Sequence, residues 1–565
     1  MMLDAMNQLT DKPEWRRKVF DETIVLRWWS EVVNDQGPQY RREPLNGKPH
    51  GFTNEMFDYC IDELRANAKM FENTGMVMVL DVGASVVKSD SIIDEELRLE
   101  LINAAKPLEE VPDNFKDWHP GSDGKVLDLV HPSLFPLVYG RTKILPHREI
   151  GLDDCLVATG SGEVIPRPSD DETVRDSVWY NRKARLWSNK FQWLPCEVKF
   201  AGDGVKITSY INNLHPVEHK NLYSVIEKVM AKAIPLWSCT MEGLAIEGDP
   251  RIDRVDGFKY PEDGEQDFPG HAELDDNMPD DRHEEINTVV TSHDWEEDEY
   301  DYNGDRTSED EEEDRLLHMP QPHPFKPEIA KEWPDDDHLQ KEFANEGFQV
   351  IVKLANIVLT PEKPTYDGGS WHVEGQLNEK ICATALYYYD CENVTDSYLA
   401  FRHQIIEDDL RELPGQGDYG WVEYLYGIRQ DAPTMQERGR ILTRQGRLLA
   451  FPNVFQHRVA PFSLADRTKP GHRKILALFL VDPNHRIIST ANVPPQQRHW
   501  WADSLYRSGA LSALPAELIE AVVDAVDEPM GMDKAKELRE ELMEERKGIQ
   551  GVFHNEVISF SFCEH

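Results

Sequence analysis

The sequence predicts an α+β protein built around an antiparallel β-sandwich or barrel. Two observations carry this. Strand-like apolar runs succeed one another from residue 348 to 481, with turn signals and no helical pattern between them. Helical patterns lie on both sides of that stretch, and a strongly acidic segment separates it from the N-terminal part.

Residues 1–190 read as a mixed helical and loop region. A helix is expected after Thr53, where Phe57, Cys60, Ile61, Leu64 and Ala68 recur at helical spacing. Residues 191–246 read as outer strands and a support helix for the core. Two β-rich runs flank Gly202-Asp203-Gly204, and Leu222, Val225, Ile226, Val229, Met230 and Ile234 then make one apolar stripe.

Residues 247–340 form an acidic insertion. Within it, 251–314 holds 26 acids against 5 bases, about half of the net charge of −43. So few aliphatic residues accompany them that burial cannot offset the entropy of ordering, and the segment is expected to be largely disordered. It serves as a solvated spacer or as an electrostatic recruiter of basic partners.

Residues 341–500 carry the strands of the core: FQVIVKLANIVLT, ICATALYYYD, SYLAFRHQI, GWVEYLYGI, GRILTR, RLLAFPNVF and KILALFLVD. Residues 501–565 return to helix, with a stripe of Leu518, Ile519, Val522, Val523 and Val526 and a charged helix from Asp533, both expected to brace the core.

Composition excludes several function classes. The net charge of −43 argues against nucleic acid or an anionic membrane surface as a general partner, since phosphates would be repelled. Seven cysteines without a C-x-x-C pair give no zinc or redox motif. No apolar leader opens the chain, and no run reaches the roughly 18 apolar residues of a membrane helix. An intracellular protein, cytoplasmic or nuclear, is the expectation.

Chemistry concentrates around SWHVEGQLNEK. In an extended chain, residues two apart share a face, so His372 and Glu374 can present an imidazole and a carboxylate side by side. Two histidines and one carboxylate suit Fe(II), because three coordination positions stay open. His457, after the apolar run RLLAFPNVF, is the candidate third ligand. H-x-E strings also occur at His147, His271, His283 and His554, but only His372 is followed by a strand, a later histidine and an arginine. That arginine is Arg473, at the head of KILALFLVD. A guanidinium entering an apolar strand needs an anionic partner, either a protein carboxylate or a dicarboxylate ligand held bidentately. Arg467, in the loop-like DRTKPG, is the second choice.

At these residues the sequence resembles the Fe(II)/2-oxoglutarate-dependent oxygenase superfamily, especially its prolyl-hydroxylase-like branch. The matching pieces are His372-Val373-Glu374, ALYYYD, Arg447-Leu448-Leu449, His457 with Val459 and Pro461, and Arg473 with ILALFLVD. Glu374 stands where Asp is commoner. The whole chain also resembles a mainly fungal family within that superfamily, on LVHPSLFPLVYGRT, SYINNLHP, WHVEG-QLNE and FPNVFQHRV, which names no substrate.

The resemblance implies a double-stranded β-helix (jelly-roll) core, iron at His372, Glu374 and His457, and Arg473 on the distal carboxylate of 2-oxoglutarate. It also implies a hydrogen bond from Tyr388 to that carboxylate. Thr384, Leu386 and Tyr388 share one strand face and are expected to line the pocket, with Tyr387 pointing away. The implied reaction consumes 2-oxoglutarate and O2, releases succinate and CO2, and hydroxylates an unidentified substrate, with a small molecule favoured over a basic protein. The alternatives are a cupin-like metalloenzyme without 2-oxoglutarate and a non-catalytic barrel that binds basic proteins. Trp371 and Asn378 flank the triad as substrate or support residues; His403 and His215 read as structural.

Overall fold

The computed structural model describes residues 1–34, 52–169, 187–242, 337–405, 435–508 and 529–555, with short pieces at 174–176, 183–185, 251, 321–326 and 432–433 and a few positions of 514–523. Most of the acidic insertion, and most of the stripe from Leu518 to Val526, lie outside the described residues.

The protein is mixed α/β and centres on a large antiparallel sheet. Its strands run in the order Val77–Val79, Val86–Ser89, Leu448–Pro452, Ile381–Glu392, Gly471–Val481, Phe348–Leu359, Cys196–Ala201 and Gly204–Ile207. Val126–Val130 also pairs with Phe348–Leu359, and Asp117–Trp118 pairs with Val126–Val130. A second sheet holds Met435–Thr443, Ser397–Gln404 and Gln456–Val459. The two are compatible with a β-sandwich core.

Alternation along the strands sorts the large sheet into two faces. Leu386 and Tyr388, Leu449 and Phe451, and Ala477 and Phe479 pack with Leu399, Phe401 and Ile441 of the small sheet. Their neighbours Ala385, Tyr387 and Tyr389, Leu448 and Ala450, and Leu476 and Leu478 pack instead against the helix Lys220–Glu242. All six residues of its expected stripe are buried there. Each buried aliphatic side chain contributes about 1.5–3 kcal/mol, so burial of this face holds the helix to the sheet, and Thr240 Oγ1 donating to Ser85 O (2.6 Å) adds a buried polar contact. The helix Asn54–Thr74 forms where expected: Thr53 caps it by accepting the Met56 N–H, and Phe57, Cys60, Ile61, Leu64 and Ala68 are buried.

The N-terminal region is more than helix and loop. Val77–Val79 and Val86–Ser89 extend one end of the large sheet, and Val126–Val130 pairs beside its centre. These runs have three to five residues, too short for an alternating pattern to stand out. The final helix, Met532–Asn555, lies against the core through Leu538 and Leu542 and through ion pairs from Arg539 and Arg546. Among the described residues, no helix is long and apolar enough to cross a membrane.

Candidate metal centre and anion pocket

Two glycines let the chain carry His372 and Glu374 to the rim of the small sheet. Gly368 has φ +92, and a Cβ there would stand 2.8 Å from the Val459 carbonyl oxygen. The chain therefore runs close beside Gln456–Val459, with Gly369 N–H donating to Val459 O (2.9 Å). His372 and His457 then exchange both backbone hydrogen bonds (3.1 and 2.9 Å), an isolated bridge that fixes the two histidines opposite one another. Gly375 (φ +70) turns the chain away after Glu374; a Cβ there would meet Glu379 Oε2 at 2.6 Å.

The three side chains converge. His457 Nε2 and His372 Nε2 lie 3.4 and 3.8 Å from Glu374 Oε1, the imidazole centroids are 4.4 Å apart, and one ligand atom from each residue lies within 4.8 Å of the others. His372 Nδ1 stands 2.8 Å from the Ser370 carbonyl oxygen, to which only an N–H can donate, so in the neutral imidazole the lone pair is on Nε2. Burial pushes the Glu374 carboxyl up, but the two imidazoles hold it well below the usual range. His372 is depressed by burial and lifted further by Glu374, to a net rise; burial and His372 lower His457. An ionised carboxylate and two imidazole nitrogens are the donor set that divalent iron takes.

Asn453 supports this loop. Its side chain accepts the Glu374 N–H (2.9 Å) and donates to the Glu374 and Ile381 carbonyls (2.9 and 3.1 Å).

Arg473 lies on the same inner face as Ala477 and Phe479 and is 1% exposed. Its Nη1 donates to Ser397 Oγ and Thr443 Oγ1 (3.0 Å), two hydroxyls of the small sheet that also bond each other (2.6 Å). The guanidinium carbon lies 5.2 Å from the Tyr388 ring centroid and 4.8 Å from that of Phe462. Nε and Nη2 are buried without a hydrogen-bond partner, and among the described residues no carboxylate pairs with Arg473. Thr384 Oγ1 is likewise buried and unpartnered, while Leu386 and Tyr388 pack on the inner side. Burial pushes the Tyr388 phenol up to about 12, so it stays a donor at neutral pH. Arg467 is exposed in its loop.

The other flagged residues have plainer surroundings. Trp371 has two guanidinium groups over its ring, those of Arg402 (4.6 Å) and Arg458 (4.5 Å). Asn378 donates to Phe191 O (2.9 Å) and so supports the turn that follows the triad. His403 meets Phe455 edge-on at 5.7 Å, and burial lowers its pKa. His215 Nδ1 accepts the Val217 and Glu218 N–H groups ahead of the helix at Lys220.

Two features were not read in the sequence. Arg546 of the last helix pairs with the fully buried Glu379, lies 3.7 Å over the Trp193 ring, and is close enough to Glu374 to feel its charge. Arg438 sits half-buried on the small sheet with its Nε unpartnered. The charged pattern of the last helix hid the first; no sequence signal marked the second.

Among solved structures, the chain is similar to a selenomethionine-labelled Fe(II)/α-ketoglutarate-dependent dioxygenase, TqaL, at 19% identity and a TM-score of 0.16. It is also similar to a bsmA homologue from Methylobium petroleophilum PM1, at 12% identity and a TM-score of 0.17. Each likeness covers 26% of this chain and 48% of the other, so the chain spans about half the length of these structures. No curated protein matches the chain. A family model for the N-terminal part, "Domain of unknown function DUF4246, N-terminal", matches residues 1–31. The model for the main part matches residues 54–504, which include the triad and Arg473, and the chain thus belongs to the family described as "Protein of unknown function (DUF4246)".

Proposed function

We propose that this protein is an Fe(II)- and 2-oxoglutarate-dependent oxygenase on a double-stranded β-helix core, with His372, Glu374 and His457 holding the metal. The observation that carries the reading is a pairing. A converging His-Glu-His set lies at one sheet edge, and a buried arginine with two idle donors faces the same sandwich interior.

Iron with 2-oxoglutarate and O2 supplies oxidative decarboxylation to succinate and CO2, coupled to insertion of one oxygen atom into a substrate C–H bond. The chain's own residues do the positioning. Ser370 orients His372, and Asn453 holds the Glu374 backbone. Arg473 presents Nε and Nη2 as a fork for the distal carboxylate of the cosubstrate, while Ser397 and Thr443 fix its other end. Tyr388 and Thr384 are the further donors at that carboxylate, and Leu386 closes the wall.

The substrate is a small molecule rather than a basic protein. The strands bordering the site, 397–404, 435–443 and 456–459, carry Arg402, Arg438, Arg440 and Arg458 against one acid, Glu437. Such a surface repels a cationic partner.

The test is anaerobic titration of Fe(II)-loaded protein with 2-oxoglutarate, following the visible charge-transfer band of the chelate. The band should form with wild type, vanish in His372→Ala and weaken in Arg473→Ala. Bound iron without a band would favour a metalloenzyme that does not use 2-oxoglutarate. No iron binding would sink the reading.

A further inference from the structure

The large sheet carries a second cluster of metal-ligating side chains that the proposed oxygenase chemistry does not use. His119 follows the strand Asp117–Trp118, Asp128 lies on Val126–Val130, and His131 follows directly after it. Cross-strand pairing of Asp117 with Asp128 and of Trp118 with Leu127 brings these separated residues together. One ligand atom from each lies within 4.8 Å of the other two, and the histidine ring centroids are 5.1 Å apart.

We propose that His119, Asp128 and His131 form a second metal site, one that takes a zinc-type divalent transition ion and clamps this hairpin.

The hydrogen bonding supports this. Asp128 has its side chain 1% exposed; Oδ2 meets His119 Nδ1 at 2.8 Å, and Oδ1 is buried with no hydrogen-bond partner among the described residues. His131 is buried, with a ligand atom within 4.8 Å of one on Asp128, yet the two make no hydrogen bond. A buried carboxylate oxygen left without a hydrogen bond is costly unless something else satisfies it. Donors about 2.0–2.2 Å from a shared tetrahedral ion stand about 3.3–3.6 Å apart, which the cluster's spacing accommodates.

The Ser133 N–H donates to His131 Nδ1 across 3.2 Å, a long bond that ligation by either ring nitrogen would give up. His119 is partly exposed, which gives an ion and its fourth ligand, water, a way in.

Three cations work against the site. Two are occupied elsewhere: Arg539 binds Asp117 through both ends (2.6 and 3.1 Å) and stays 3.9 Å from Asp128, while Lys536 lies 3.9 Å from Asp117. Lys353 acts on Asp128 and His131 through charge alone. None of the three hydrogen-bonds Asp128 Oδ1.

Equilibrium dialysis of metal-stripped full-length protein against Zn2+ tests this. Wild type should take up two equivalents, and Asp128→Asn and His119→Gln one each. His372→Ala should also retain one, now held by the new site. The equivalent that survives in the first two variants reports an intact fold. Wild-type binding that both Asp128→Asn and His119→Gln retain in full would overturn the proposal. A single equivalent lost in those two variants but kept in His372→Ala would uphold this site and sink the iron reading instead.

Discussion

Asn453 and Glu374, 79 residues apart, exchange two hydrogen bonds of 2.9 Å each: the asparagine side chain accepts the Glu374 N–H and donates to its carbonyl. This pair fixes the backbone beneath the carboxylate where no regular strand does so. Asn453→Ala leaves a part-buried N–H and C=O unsatisfied, a cost of about 1–3 kcal/mol. Loss of such support around a ligand lowers metal affinity about 10- to 100-fold. Thermal unfolding and Fe(II) or Co(II) titration of Asn453→Ala measure the two effects. Unchanged metal affinity in a folded variant would show that the pair is only structural.

Arg473 yields a sharper contrast between stability and binding. Its guanidinium is buried, and Ser397 and Thr443 satisfy one nitrogen while Nε and Nη2 stay idle. Such a group costs the ligand-free fold free energy and returns it when an anion docks. Arg473→Met should therefore leave the ligand-free protein as stable as wild type or more so. It should also weaken 2-oxoglutarate binding by about 2–5 kcal/mol, as when one partner of a buried charge pair is removed. Melting curves with and without 2-oxoglutarate separate the effects: the ligand should raise the wild-type melting temperature and leave Arg473→Met unmoved. Equal ligand-induced shifts would remove Arg473 from the pocket.

What was legible in the sequence is what periodicity and local chemistry encode. Two-residue spacing put His372 beside Glu374, and alternation put Leu386 and Tyr388 on one face with Tyr387 on the other. Helical spacing gave the buried stripe of Lys220–Glu242. Partners supplied from far along the chain were not legible. Ser397 and Thr443 reach Arg473 across 76 and 30 residues, and Arg546 reaches Glu379 across 167. The hairpin that gathers His119, Asp128 and His131 rests on strands of two and five residues, too short to announce themselves.

The Arg546–Glu379 pair gives a third expectation. Glu379 is fully buried, accepts the Trp193 and Gln376 N–H groups (2.7 Å each), and depends on Arg546 for its counter-charge. Removing only the cation strands a buried carboxylate, which costs about 3–5 kcal/mol. Arg546→Met should therefore destabilise strongly, and adding Glu379→Gln should recover much of the loss. A double-mutant cycle by urea unfolding measures the coupling. Additive losses would mean that the last helix is held by Leu538 and Leu542 packing rather than by this pair.

Lys88 sets a pH dependence. It is 2% exposed and donates to Asn7 Oδ1 (2.8 Å) and Asp11 (2.7 Å), while Arg447 also holds Asp11 at 2.8 Å. Burial, then repulsion from Arg447, pull its ammonium down to about 7 despite Asp11. An unfolded lysine titrates near about 10.4. Between these values the unfolded chain binds the extra proton, so this group's contribution to stability rises with pH across the window, by at most about 1.4 kcal/mol per unit. Below about 7 both states are protonated and the penalty of the buried charge is felt in full. Lys88→Met keeps the aliphatic stem and leaves Asp11 paired with Arg447. Urea unfolding at pH 7, 8 and 9 should show wild type gaining on Lys88→Met as pH rises. A constant gap would mean that Asp11 keeps Lys88 charged throughout, and that the network joining the first helix to the sheet is a permanent ion pair.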